Sequence, residues 1–209
     1  MRGETDEGRA RAYGLLGTLL ARAPQRALLE RLGAVRGDGT RLGEALGALG
    51  EAAAATDERA VEREFHDLFI GLGRGELLPY ASYYLTGFLH ERPLARLRGD
   101  LAALGIARAE GVAEPEDHIA SLCEVMAGLI DGSLGGGAAS GDASGDASGA
   151  AASGGAEPDR RFFERHLRPW AGRLFADLEA AKSARFYGAV GTFGRTFIDI
   201  ETEAFALPA

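Results

Sequence analysis

Residues 114–126, "EPEDHIASLCEVM", bring three acids, a proline and a histidine together directly before an amphipathic run. From position 119 onward apolar residues recur three or four apart, which is typical of an amphipathic helix. Pro115 suits a first helical turn because it has no N–H to leave unpaired, and the helix dipole favours acidic side chains there. The stretch therefore predicts a helix over 115–130 with a polar first turn. Its apolar stripe comprises Ile119, Leu122, Cys123, Met126, Leu129 and Ile130.

The polar start of this helix can be interpreted in three ways. Its ionisable members are Glu114, Glu116, Asp117 and His118, with Glu124 on a neighbouring face. A metal site is poorly supported, because the four histidines of the chain are far apart and none has a Cys or second His at ligand spacing. A simple helix cap and a binding site for a partner both remain open, since acids in a first turn are common in helices.

The remaining sequence also has a helical period. "TDERAVEREFHDLFIGL" opens with a Thr/Asp cap, and "ARAYGLLGTLLAR" repeats apolar residues at three and four. "RPLARLRGDLAALGI" and the aromatic stretches after residue 157 have the same spacing. No stretch alternates apolar and polar residues for long enough to indicate a sheet. We expect an all-α fold, a single helical bundle of about nine helices by estimate from this pattern.

One segment interrupts the helical pattern. Residues 131–156 are almost entirely Gly, Ala, Ser and Asp, and "GDAS" occurs twice in tandem. Such a composition has little to bury and predicts a flexible linker. The sequence thus divides into an N-terminal helical part, 1–130, this linker, and C-terminal helices over 157–209 that pack on the same core. A linker of this length reaches about 25–30 Å on average, which would permit exchange of the C-terminal helices in a domain-swapped homodimer.

Composition and charge exclude several classes of protein. With 46% hydrophobic residues the chain is expected to be globular, and its net charge of −8 argues against non-specific binding of nucleic acid or anionic membranes. The single cysteine, Cys123, allows no intrachain disulfide and favours a reducing compartment. The N-terminus does not resemble a secretory signal, and no run of about 18 apolar residues suggests a membrane span. We therefore expect a cytoplasmic protein without membrane insertion.

A second informative stretch is "LLPYASYYLTGFLHERP", residues 77–93. It holds three of the five tyrosines, together with Ser82. Tyrosine combines a large apolar face with a polar tip, which suits peptide-binding surfaces. A helix packed on the core with its hydroxyls at the rim explains the same pattern equally well.

No pattern of an enzyme or of a bound cofactor stands out. Gly71, Gly73 and Gly75 lack the spacing and the following Lys-Ser/Thr of a phosphate loop, and no predicted strand precedes them. Cys123 lies on an apolar stripe, which favours a buried residue over a nucleophile. A nucleotide-handling or other small-molecule enzyme is therefore the least supported interpretation.

Three stretches together resemble a known family. "PYASYYLTG", "EPEDHIASLCEVM" and "FFERHLRPWAGRLFADLEAAKSARFYGAVGTF" are similar, in this order, to the TorD/DmsD-type (NarJ-like) chaperones of molybdoenzyme maturation. The E-P-x-D-H motif is matched at Glu114, Pro115, Asp117 and His118, and a later family acid at Glu124. The resemblance covers most of 60–205, and it implies an all-helical, non-enzymatic, cytoplasmic protein.

The resemblance also implies a partner. Such chaperones bind the N-terminal twin-arginine signal peptide of an apo-reductase and delay its export until the molybdopterin cofactor is loaded. The implied binding residues are Asp117 and His118, with Glu114, Glu116, Glu124, Tyr80, Ser82 and Tyr84 as candidates. Clients of this kind include dimethyl sulfoxide or trimethylamine N-oxide reductases, nitrate reductases and formate dehydrogenases. A helical scaffolding or interaction domain without signal-peptide specificity remains the alternative.

Overall fold

The computed structural model describes residues 3–108, 111, 113–135 and 158–207. Within these ranges the chain forms ten α-helices and a π-helical turn, and none of the residues belongs to a β-strand longer than an isolated bridge. The all-α expectation is confirmed, with ten helices against an estimate of nine. The helices are α1 (Glu4–Ala21), α2 (Arg26–Gly33), α3 (Arg41–Ala54), α4 (Glu58–Phe65) with the π-helical turn His66–Ile70, α5 (Ala81–Thr86), α6 (Arg92–Ala103), α7 (Ile119–Asp131), α8 (Pro158–His166), α9 (Ala171–Ala180) and α10 (Phe186–Ala206).

Helices α7 and α10 organise the core, since each contributes nine buried residues. Helix α1 lies along α7, and α10 packs against α9, α3 and α1. The α1–α7 contact is close because Gly17 has no side chain: a Cβ there would lie 3.3 Å from the Ala120 carbonyl oxygen. The apolar stripe predicted on α7 is buried in this core, with every member at most 9% exposed.

A buried ionic network ties the C-terminal helices to the N-terminal one. Arg9 of α1 donates to Glu201 of α10 at 2.8 Å and to Asp159 of α8 at 2.9 Å. The Tyr13 hydroxyl donates to the second oxygen of Glu201 at 3.0 Å. Glu201 is 1% exposed, and a buried carboxylate is tolerated only when it is paired and hydrogen-bonded. Helices on both sides of the predicted linker therefore share one core.

The start of α7 differs from the prediction. The helix begins at Ile119, with His118 as its N-cap, and not at Pro115. Residues 114–117 form a turn ahead of the helix, so their acids do not lie in its first turn. The reason is tertiary, because the Asp117 carbonyl and the Ile119 amide form hydrogen bonds with the backbone of Ala81 and Pro79, and His118 between them is held extended.

The end of α7 extends into the predicted linker. Asp131 is the last helical residue, and Gly132 caps the helix with a φ of 73°, a left-handed conformation that favours glycine. The Leu134 amide then donates to the Gly128 carbonyl at 2.9 Å. The rest of the predicted linker, 136–156, lies outside the described residues. No helix in the described parts of the chain is long and apolar enough to span a membrane.

Candidate functional site

A short antiparallel contact positions the candidate site. The Ile119 amide donates to the Pro79 carbonyl at 2.9 Å, and the Ala81 amide donates to the Asp117 carbonyl at 3.0 Å. Tyr80 and His118 form the isolated bridge between them. The two stretches that sequence analysis singled out, 77–93 and 114–126, therefore meet in space at the starts of α5 and α7.

Asp117 uses only one of its carboxylate oxygens. Its Oδ2 accepts a hydrogen bond from the Ser82 amide at 2.8 Å and thereby caps the start of α5. Its Oδ1 is buried with no hydrogen-bond partner in the structure, and the Ser82 hydroxyl oxygen is buried and unpartnered in the same way. Asp117 is 1% exposed and Ser82 is fully buried. Buried polar atoms in native proteins nearly always have a hydrogen-bond partner, so these two unpartnered oxygens need an explanation.

Both residues line a cavity of about 300 Å³, which we call the Asp117 cavity. Tyr80, Leu89, His90 and Pro115 complete most of its wall. His90 has a φ of 63° and is the only non-glycine residue with a positive φ in the described chain. Backbone strain of this kind costs about 1–3 kcal/mol and is concentrated at functional sites.

Tyr80, which lines this cavity, is held in place by Glu114. The Tyr80 hydroxyl donates to a carboxylate oxygen of Glu114. Burial, followed by this hydrogen bond and the nearby negative charges, raises the pKa of Tyr80 above its usual value of 10.0. The Tyr80 ring also packs edge-on against the His118 ring, with centroids 5.1 Å apart. Tyr80 is therefore a hydrogen-bond donor fixed in one orientation.

His118 has a structural role at the start of α7. Its Nδ1 accepts a hydrogen bond from the Ala120 amide at 3.1 Å, which satisfies one of the unpaired donors of the helix. Burial lowers the pKa of His118 below 6.5, although Glu114 and Asp117 act in the opposite direction. A neutral imidazole is required for this contact because a protonated Nδ1 has no lone pair to accept it.

Glu116 is already neutralised by arginines. One of its oxygens accepts from Arg98 Nε and Nη2 at 3.0 and 2.9 Å, and the other lies 3.8 Å from Arg108 Nε. Among the clustered acids, Glu114 is held by Tyr80 and Glu116 by Arg98. Asp117 Oδ1 is the one carboxylate oxygen in this cluster that is both buried and without a partner.

The comparisons with known proteins agree with this arrangement of motifs. A sequence model of the family described as nitrate reductase delta subunit matches residues 36–176, which includes all of the Asp117 cavity. The chain belongs to this family. The resemblance to TorD/DmsD-type, NarJ-like proteins is thereby confirmed.

Curated relatives of this family member carry one name, chaperone protein TorD. The protein of Vibrio cholerae is 39% identical over 67 residues, which cover 32% of this chain and 30% of the relative. That of Aliivibrio fischeri is 30% identical over 140 residues, covering 60% and 65% respectively. That of Vibrio atlanticus is 23% identical over 145 residues, covering 68% and 63%. The chain thus spans between about a third and two thirds of the length of these relatives.

Three of the predicted site features lie elsewhere in this family member. Glu124 is exposed on α7, where its Cγ faces Gly17 of α1, and it does not line the cavity. Tyr84 belongs to a neighbouring cavity, where its hydroxyl donates to Asp177 at 2.8 Å. The apolar stripe of α7 is buried and offers no groove behind the acids.

Several residues near the site have no signal in the sequence that predicted them. Arg98 and Arg108, which neutralise Glu116, lie on α6 and after it, where no local pattern links them to the motif. Leu85 near the end of α5 and Phe88 and Leu89 in the loop after it are 42%, 70% and 38% exposed, and they form what we call the apolar ridge. Large apolar residues on both sides of the glycine that ends this helix could have suggested a surface. In the described part of the chain, no group of three or more His, Cys, Asp or Glu residues could hold a metal ion.

Proposed function

We propose that this protein is a cytoplasmic chaperone that takes part in the maturation of a molybdopterin-containing oxidoreductase. In this proposal it binds the N-terminal twin-arginine signal peptide of the apoenzyme before the cofactor is loaded and the enzyme is exported. The family match and the relatives named chaperone protein TorD support a chaperone role. The protein carries out no catalytic step in this scheme and needs no cofactor of its own.

The observation that carries the proposal is the unpaired Asp117 Oδ1 beside the unpaired Ser82 hydroxyl. A buried carboxylate without a partner is costly, whereas a charge-assisted hydrogen bond to a cation is among the stronger polar contacts. A ligand that satisfies both atoms must bring hydrogen-bond donors into the Asp117 cavity. A guanidinium has five donors in a planar fork and fits this requirement, so the basic start of a twin-arginine peptide is a suitable ligand.

The apolar ridge supplies the second half of such a site. A twin-arginine signal continues from its basic start into an apolar segment, and the buried stripe of α7 is closed to it. Leu89 lines the Asp117 cavity and also belongs to the ridge, which makes the two surfaces adjacent. Exposed apolar groups next to a polar pocket mark interaction surfaces in soluble proteins. We therefore place the apolar segment of the peptide on Leu85, Phe88 and Leu89.

Net charge favours the same class of ligand. The chain carries −8, which raises the local concentration of a basic peptide and speeds its association. Added salt should screen this component and leave the apolar contact unchanged. Affinity for the peptide is therefore expected to fall, but not to vanish, at high ionic strength.

The test uses Asp117→Asn and isothermal titration calorimetry with a peptide that has two arginines followed by an apolar run. Asparagine keeps an acceptor for the Ser82 amide but places an NH₂ group where Oδ1 lies, so the cap on α5 survives. We expect the affinity to fall by about tenfold to a hundredfold, as for loss of a charged hydrogen bond. Equal affinities of wild type and Asp117→Asn would contradict the proposed role of this carboxylate.

Two controls separate the cavity from general electrostatics. Glu51→Gln removes one negative charge from an exposed position on α3 and should bind like wild type. A peptide with glutamines in place of both arginines should bind wild type and Asp117→Asn alike, through the apolar run alone. If wild type binds no twin-arginine leader of its host, the signal-peptide function is refuted. A helical scaffolding domain without signal-peptide specificity then becomes the better interpretation.

A further inference from the structure

A second cavity lies on the other side of α5. It has a volume of about 460 Å³, and among its lining residues are Arg74, Glu76, Tyr83, Tyr84, Arg173 and Asp177. Leu85 of the apolar ridge also lines it, so the ridge runs from the Asp117 cavity to this one. We call it the arginine–tyrosine cavity.

The two arginines of this cavity each hold a tyrosine of α5. Arg74 Nη2 donates to the Tyr83 hydroxyl at 2.7 Å, and its guanidinium lies 5.3 Å from the centroid of that ring. Arg173 donates to the Tyr84 carbonyl, and its guanidinium lies 5.6 Å from the Tyr84 ring centroid. Among the described residues neither arginine forms an ion pair with a carboxylate.

Both carboxylates of this cavity already accept hydrogen bonds from the protein itself. Glu76 accepts hydrogen bonds from the Lys182 and Ser183 amides at 2.7 and 3.2 Å. Asp177 accepts from the Tyr84 hydroxyl at 2.8 Å. A guanidinium has five N–H donors, and each arginine uses one of them in these contacts. The cavity therefore presents unused guanidinium donors, whereas the Asp117 cavity presents an unused carboxylate acceptor.

We propose that Arg74 and Arg173 bind a carboxylate of the client peptide, an acidic residue that lies beyond the apolar segment at the end opposite to its basic start. This inference rests on the proposed function and extends it. The peptide then has three successive chemistries: a cation in the Asp117 cavity, apolar side chains on the ridge, and an anion between the two arginines. A planar carboxylate matches the fork of a guanidinium, and such contacts select a partner more than they raise its affinity.

The chain contains a reporter for this cavity. Trp170 is the only tryptophan, and its ring centroid lies 5.4 Å from that of Tyr84. Fluorescence of Trp170 should therefore respond to a ligand that contacts Tyr84 or Arg173. The probes are two short peptides, acetyl-Leu-Leu-Ala-Leu-Glu-amide and the same peptide ending in Gln, neither of which carries a basic residue.

The experiment titrates both peptides into wild type and into Arg74→Gln with Arg173→Gln. Wild type should bind the Glu peptide about fivefold more tightly than the Gln peptide, and the double variant should bind both alike. Arg31→Gln with Arg59→Gln removes two exposed arginines on α2 and α4 and should keep the fivefold preference. Arg74→Gln alone leaves the contact of Arg173 with α5 intact and should lose part of the preference for the Glu peptide. This single variant keeps the test decisive if the double variant does not fold.

Several outcomes would overturn the proposal. Equal affinity of wild type for the Glu and Gln peptides would do so, as would an unchanged preference in the double variant. A response of Trp170 to millimolar inorganic phosphate but to neither peptide would reassign the cavity to a phosphate group. Because the probes contain no cation, failure of a twin-arginine leader to bind at Asp117 would refute the proposed function without deciding this test.

Discussion

Asp117 combines a structural role with the proposed binding role in one side chain. One oxygen caps α5 through the Ser82 amide, and the other is unpartnered in the Asp117 cavity. Alanine at this position would remove both contacts, so loss of binding in such a variant would not distinguish a lost ligand contact from a displaced α5. The isosteric change to asparagine separates them, which is why it is preferred to alanine.

His118 provides a pH-dependent contribution to stability. Because burial lowers its pKa below 6.5 in the folded protein, the unfolded chain takes up a proton at a higher pH than the folded one. The contribution of His118 to the free energy of unfolding is complete above pH 6.5. It is lost as the pH falls from there toward the lower pKa of the folded state. His118→Asn keeps a capping acceptor without this titration. We expect its free energy of unfolding to change less between about pH 8 and pH 5 than that of wild type.

Urea denaturation at the two pH values measures this difference. His66→Asn removes a histidine whose side chain is 48% exposed and serves as the control, which should follow wild type. His118→Ala should lose about 1 kcal/mol even at the higher pH because it removes the cap of α7. Parallel pH profiles of wild type and His118→Asn would show that this imidazole does not contribute.

Only part of the residue-level site was predictable. The sequence placed Glu114, Asp117 and His118 together because they are adjacent, and the tyrosine-rich stretch was recognised by composition. Whether a given acid is available for a ligand depends on partners far along the chain, such as Arg98 for Glu116. Those pairings have no local signature. This is also why Glu124, which fits the motif in sequence, lies away from the cavity.

At the scale of elements, helix caps formed by neighbouring residues could be predicted from the sequence, whereas caps formed by residues far along the chain could not. Asp57 caps α4 by accepting from the Ala60 amide at 2.9 Å, as its position before an amphipathic run predicted. The start of α10 has no local cap. Instead Glu64 of α4 accepts from the Arg185, Phe186 and Tyr187 amides at 2.8, 3.2 and 2.6 Å. A helix start is thus held by a carboxylate more than a hundred residues earlier in the chain.

Glu64→Gln should therefore destabilise the protein more than an ordinary surface change. A neutral amide offers one acceptor oxygen to three amides and does not complement the positive end of the α10 dipole. We expect a loss of about 2 kcal/mol, measured as a lower urea midpoint with an unchanged slope. Glu62→Gln, exposed on the same helix, should stay within about 0.5 kcal/mol of wild type. A midpoint for Glu64→Gln equal to that of Glu62→Gln would refute this role.

The same limit of sequence reasoning explains the start of α7. Its apolar period was recognised, but the boundary was placed at Pro115 because proline and acids favour a first turn. The observed start at Ile119 follows from hydrogen bonds of the Asp117 and Ile119 backbone to Ala81 and Pro79, which hold His118 in an extended conformation. The shift of four residues matters for the proposed function, since it moves Asp117 from the predicted first helical turn to a buried wall of the cavity.

For the whole molecule, a group of ion pairs joins the two helical parts. The Arg9–Asp159 and Arg9–Glu201 ion pairs join α1 to α8 and α10 within one chain. The same contacts can form between two chains if the C-terminal helices are exchanged, because a domain swap preserves every native interface. Which arrangement forms should depend on whether the segment between Gly135 and Pro158 can reach back to its own core.

Shortening residues 136–156 to a few residues should shift the protein from monomer to swapped dimer. The change begins after Gly135 because Leu134 still contacts α7 through the Gly128 carbonyl. A segment too short to return within one chain raises the free energy of the closed monomer, whereas the dimer avoids that strain. Size-exclusion chromatography with light scattering gives the mass of each species before and after refolding. Replacement of 136–156 by a Gly/Ser segment of equal length is the control and should behave like wild type. A shortened protein that remains monomeric at high concentration, with unchanged thermal stability, would show that this segment does not govern assembly.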